Sequence, residues 1–318
     1  MTRYALLVGA VLMLLWSVPS PLYGWGSATH AYIAREVGDR QGSTSLDEIY
    51  GAVLPDAFNM MFGDPYQGQL WTQTHYEFMK LVEKAESGND KAVAYGFASH
   101  NERWGADQTA HISSTTHPDN GYVVGKRDVL AAILEPQVKL FLLFSGVPNA
   151  DAVVKNVLPV VADSAIETAI DLLIAQNEDP DIGERLALAA RVRGWSAPIL
   201  LSKAYAADFA ATAGTTEAVA ATLIIAAETE FRYQIESYGT ALTQENPVDA
   251  LSEQGAELAK LLLAAEQGII LDIPVDLMKQ IVNAAIDAVK DDYAAELAAT
   301  VTRVRQELES HAIASPAL

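Results

Sequence analysis

From residue 182 to residue 312 the chain reads as one helix after another, which leaves little room for any fold but a helical one. The segments are broken near residues 194–198, at Gly214, at Asn246-Pro247 and at residues 272–274. Gly and Pro end or restart helices there, Gly by reaching the left-handed region and Pro by lacking an N–H. Leu277, Ile281, Ala284, Ala285, Ala288 and Val289 recur every three or four residues, which makes one apolar stripe on a helix. Ala, Leu, Glu and Gln dominate after residue 150, and Val and Ile sit mostly inside helical patterns. The expectation is an all-α, multi-helix bundle with no substantial sheet.

Half of the 318 residues are hydrophobic, enough for a substantial core. The formal charge of −20 opposes non-specific attraction to nucleic acid or to an anionic membrane surface. It leaves room for a metal site acting on phosphates, because bound cations set the local sign. The absence of cysteine excludes disulfides, thiolate ligands and cysteine nucleophiles. No Gly-rich phosphate loop, Gly-x-Ser-x-Gly element or internal repeat is present.

Residues 1–24 have the layout of a secretory signal peptide: Arg3 is the only charge, residues 5–16 are apolar, and Ser17, Pro19, Ser20 and Pro21 follow. The apolar run is too short to span a bilayer comfortably. An uncleaved anchor is the competing reading. Cleavage between Gly24 and Trp25 would leave a mature domain of residues 25–318 with no transmembrane segment. It would also give Trp25 a free α-amino group, which with its own carbonyl oxygen can chelate a metal. His30 follows, opening an apolar-periodic helix through Ala31, Ile33, Ala34 and Val37.

The densest chemistry lies in residues 100–111. Steps of seven and eleven residues separate His100 from Asp107 and His111. At about 100° per residue both steps return to nearly one face, so a single helix would carry two imidazoles and a carboxylate on one stripe. Zn²⁺ accepts those ligand types. Taken one at a time, each histidine also reads as a hydrogen-bonded core or surface residue. Gly105 is a possible bend within the ladder. Asp56 follows Pro55 and reads locally as a helix N-cap. His75 opens a further helical pattern. His117 sits in a turn-rich loop and reads as exposed, and His311 lies in a fraying tail. Glu228, Glu230 and Glu236 read as structural or solvated.

The stretch Trp-Gly-Ser-Ala-Thr-His-Ala-Tyr-Ile-Ala from Trp25 resembles the mature amino terminus of the zinc-dependent phospholipase C and single-strand nuclease superfamily. In that superfamily the amino-terminal Trp and a nearby His bind one ion of a trinuclear zinc cluster. The resemblance covers about residues 25–175 and implies Trp25, His30, Asp56, His75, His100, Asp107 and His111 as ligands of up to three Zn²⁺ ions. Asp107 would bridge two of them. The seven-residue step from His100 to Asp107 is three longer than the family's common spacing. The following step of four resembles the branch containing the glycosylphosphatidylinositol-specific phospholipase D. The family completes its remaining site with a later pair at i and i+4. No His lies between residues 118 and 310, so Glu167 and Asp171 stand as an all-carboxylate substitute, with Ile166, Ile170, Leu173 and Ile174 toward the core.

The implied activity is that of a secreted or periplasmic, metal-dependent phosphodiester hydrolase, with Asp56 as general base as well as ligand. Phospholipid is the first substrate class, a single-strand nuclease the alternative within the superfamily, and a non-catalytic helical metal-binding protein the alternative outside it. Stable nucleic-acid binding is not expected of so acidic a chain. The helices of residues 182–312 either complete the same bundle or form an added cap.

Overall fold

The computed structural model describes residues 25–38, 45–59, 61, 64–192 and 195–315. The signal-peptide reading of residues 1–24 lies outside them. Fourteen α-helices and one 3₁₀ turn make up the described secondary structure, and no strand occurs among the described residues. The all-α expectation therefore holds.

The first helices carry the chemistry-bearing residues. They are α1 (Ser27–Val37), α2 (Ser45–Val53), the 3₁₀ turn Leu54–Phe58, α3 (Gln67–Tyr76), α4 (Met79–Lys84), α5 (Gly88–His100) and α6 (Ala106–His111). Two long helices, α7 (Tyr122–Phe144) and α8 (Ala150–Asn177), pack against each other as a hairpin. Six more complete the chain: α9 (Ile182–Val192), α10 (Ser196–Ala213), α11 (Glu217–Leu242), α12 (Pro247–Gln267), α13 (Val275–Val289) and α14 (Tyr293–Ser310). Their ends follow the sequence punctuation. Gly214 closes α10 in the left-handed conformation, Pro247 occupies the first turn of α12, and α13 starts directly after Pro274.

The later helices are not a detached cap. One apolar cluster runs from Trp25 to Leu308, with Ile281, Ala285 and Val289 of the expected stripe buried in it. Helix α14 packs on α1 and α6, where the Thr300 and Thr109 hydroxyls lie 2.9 Å apart. Among the described residues no single helix is long and apolar enough to cross a membrane.

Helices α2 and α5 cross with their backbones in contact. A Cβ on Gly51 would strike the Val93 carbonyl, and one on Gly96 would strike the Glu48 carbonyl. This crossing sets the position of the carboxyl end of α5, where His100 stands.

Candidate metal centre

The ladder expected on one helix is split over two. Helix α5 ends at His100, and α6 starts at Ala106. The side-chain oxygen of Asn101 accepts from the N–H groups of Arg103 (2.9 Å) and Trp104 (3.0 Å), which ends the helix in a turn. Gly105 packs on the Asn101 backbone, with no room for a Cβ. The turn still returns Asp107 to His100, with Asp107 Oδ2 2.8 Å from His100 Nε2. His75 closes α3 rather than opening a helix, and Asp56 lies within the 3₁₀ turn.

Each imidazole is aimed by its other nitrogen. His100 Nδ1 lies 2.7 Å from the Ala52 carbonyl, and His75 Nδ1 lies 2.9 Å from the Trp71 carbonyl. A carbonyl only accepts, so Nδ1 carries a proton in both rings and Nε2 is the nitrogen turned toward the carboxylates. These two Nε2 atoms are 3.2 Å apart. Asp56 Oδ1 is 3.3 Å from His75 Nε2 and 3.6 Å from that of His100, while Asp107 Oδ2 is 3.5 Å from His75 Nε2. His30, brought in by α1, places its Nε2 3.1 Å from Asp107 Oδ1 and stacks on His100 with ring centres 3.9 Å apart. Imidazole nitrogens and carboxylate oxygens from separate elements therefore converge in one place. The His30 Nε2 and both Asp107 oxygens are buried without a hydrogen bond.

Three overlapping groups among the described residues could each hold a cation: His30, His100 and Asp107; Asp56, His75 and His100; and Glu102, Asp107 and His111. Asp107 and His100 each belong to two. Neutral imidazoles and carboxylates are suitable donors for a divalent ion, and the carbonyl bonds at Nδ1 are the outer contacts that orient such ligands.

Trp25 is buried beside this centre. Its indole N–H reaches the Ala106 carbonyl (3.0 Å) and the Thr109 hydroxyl (2.9 Å), and its ring stacks on Tyr122. His117 is half-buried rather than exposed, edge-on to Tyr122. His311 caps α14 and stacks on Trp104. Glu228 is a structural group, accepting from the Tyr50 hydroxyl at 2.7 Å.

The late pair is placed differently from the expectation. Asp171 is buried at the amino end of α1. Its oxygens accept from the N–H groups of Ala28 (2.9 Å) and Thr29 (2.7 Å), the Thr29 hydroxyl (2.6 Å) and the Tyr238 hydroxyl (2.9 Å). A Cβ on Gly26 would sit 2.6 Å from this carboxylate. Asp171 thus caps a helix that has no capping side chain of its own, and its oxygens are engaged. Glu167 keeps a buried Oε1 without a hydrogen bond. Asp163, one turn before it, acts on it more strongly than Asp171 does, and its charge also acts on His111. Sequence reasoning missed Asp163, although it stands at the same i, i+4 spacing from Glu167 as Asp171 does. It also missed Glu102, whose Oε1 holds His111 Nδ1 at 2.5 Å.

Electrostatics bind the cluster together. Burial opposes charge on His100, but the Asp107 and Asp56 carboxylates raise its pKa to about 9. Burial likewise opposes charge on His111, and Glu102 raises it to about 9. Burial and the neighbouring His100 push His30 down. Asp107 is held well below the carboxylate range against its burial, through His100 and His30. Burial, then Asp163 and Asp56, push Glu167 well above it.

In metal-free protein the pairs of His100 and His111 stabilise the fold fully below pH 6.5, and that stabilisation is lost as pH rises through about 9. Asp171, raised by burial to about 6, gives a loss of the same sign that is nearly complete before this window begins. The melting temperature of chelator-treated protein should therefore fall between pH 6.5 and about 9. Zinc should remove most of that fall, because a divalent ion takes the place of the protons.

No family model, curated protein or solved structure matches this chain. The site's chemistry rests on its own geometry.

Proposed function

We propose that this protein is an exported, metal-dependent phosphodiester hydrolase, as the resemblance of its Trp25 and His30 stretch implies. The supporting observation is the meeting of His75 Nε2 and His100 Nε2 3.2 Å apart, between the Asp56 and Asp107 carboxylates. His30, Asp107 and Trp25 would hold one ion, and Asp56, His75, His100 and Asp107 a second. His111 with Glu102 and Asp107 would hold a third. Bound divalent ions supply charge neutralisation to a phosphodiester and activate water near neutral pH.

The protein's own groups supply the rest. Asp56 lines an open cavity together with Glu167, and its side chain is 13% exposed. The Asn59 amide donates to its Oδ1 at 2.7 Å and fixes its orientation. That position suits Asp56 to receive a proton from an attacking water. The His75 and His100 imidazoles are each oriented by a carbonyl at Nδ1, so they would bind without rearranging.

Phospholipid is the first substrate class, and single-stranded nucleic acid is the rival. Assays of zinc-loaded protein on phosphatidylcholine and on single-stranded DNA separate the two. Inactivity on both with metals bound would leave the non-catalytic metal-binding reading. The export component predicts that amino-terminal sequencing of secreted protein will start at Trp25. A retained Met1 would point to an anchor and remove the free α-amino group from the site.

A further inference from the structure

A cavity of about 570 Å³ opens directly beside the metal centre, with Trp25, Asp56 and Glu167 among its lining residues. That volume falls within the roughly 300–1,000 Å³ of ligand sites and far exceeds an ordinary packing void. Away from those three residues its walls are mostly apolar. Helix α8 contributes Val161, α11 contributes Phe231 and Ile235, and α12 and α13 contribute Leu258, Leu262 and Met278. Three of those four helices belong to the carboxyl-terminal half, beyond the stretch that carries the metal-centre candidates. Leu261, also on the wall, is 57% exposed, so the cavity communicates with solvent.

We propose that this cavity is a tail subsite that takes the alkyl chain of a lipid phosphoester whose phosphate lies at the metal centre. The two chemistries meet in one space. Carboxylate and imidazole groups that would hold cations stand beside an apolar wall, and a lipid phosphoester carries a matching anionic group and hydrocarbon chain. An apolar cavity gives water few partners, so an alkyl chain fills it with little loss of solvation. A nucleic-acid strand would leave its sugars and phosphates against aliphatic side chains. The inference rests on the hydrolase reading for the placement of the phosphate only; the walls stand independently.

The test is calorimetric binding of hexyl-, octyl- and decylphosphocholine, each below its micelle concentration, to chelator-treated and to zinc-loaded protein. Affinity should rise by about fourfold per methylene buried, at one ligand per chain. Leu258→Gln keeps the size of the wall and makes it polar, and should flatten the series while metal content stays at the wild-type level. Leu261→Gln, at an exposed position that folding tolerates, should flatten it in part. A flat series in the wild type, or an unchanged slope in both variants, overturns the tail subsite. A steep series without hydrolysis by zinc-loaded protein would retain the subsite and sink the phospholipid-hydrolase reading. Hydrolysis with no chain-length dependence would do the reverse.

Discussion

Asp107→Asn should lose more than one metal equivalent per chain and nearly all hydrolysis while the helices stay folded. Asp107 is fully buried, and its two oxygens face different imidazoles, His30 at 3.1 Å and His100 at 2.8 Å. It is common to two of the groups that could hold a cation, one with His30 and His100 from other helices and one with Glu102 and His111. The asparagine keeps the size and removes the negative charge that offsets paired cations. It also replaces one oxygen with an amide nitrogen, a poor ligand. Glu167→Gln is the comparison. Glu167 lies outside the groups that share Asp107, so its loss should cost at most one ion. Elemental analysis of both purified variants, with circular dichroism as the folding control, reads the difference. A full metal complement in Asp107→Asn would end the multinuclear reading.

Asp171→Ala should be the most destabilising of the site-proximal substitutions, by about 3–5 kcal/mol, because it orphans several buried donors at once. Those donors are the Ala28 and Thr29 N–H groups and the Thr29 and Tyr238 hydroxyls. Tyr238→Phe removes one hydrogen bond to the same carboxylate and should cost about 1 kcal/mol. Denaturant midpoints measure both. The metal content of Asp171→Ala adds a second readout, since α1 carries His30 and Trp25 toward Asp107. A metal ligand without a capping role would behave differently: Asp171→Ala would lose an ion and leave the midpoint of chelator-treated protein unchanged.

What was legible in the sequence was mostly local. The breaks at Gly214, Pro247 and Pro274 follow from the backbone chemistry of those residues alone, and the structure puts helix ends there. The gathering of His30, Asp56, His75, His100 and Asp107 was also anticipated, through the resemblance rather than through spacing. The single-helix ladder was not correct. Its periodicity was sound, but the Asn101 side chain outcompetes the backbone for the following N–H groups. The choice between Asp163 with Glu167 and Glu167 with Asp171 could not be made from helical spacing, which both pairs share. It is decided by which turn of α8 meets the amino end of α1, a tertiary fact. Glu102 gave no periodic signal because it lies in the turn between two helices.

The backbone contact at the α2 and α5 crossing bears on how variation in this protein should be interpreted. Gly51 and Gly96 contribute no atom that could touch a cation or a substrate. Any side chain at either would pry the helices apart and draw the Ala52 carbonyl away from His100 Nδ1. In a saturation scan scored by activity, both positions would therefore be as intolerant as the histidines themselves. A survey of natural variants would rank them among catalytic residues for the same reason. Intolerance here marks space that must stay empty as strongly as it marks chemistry that must be present.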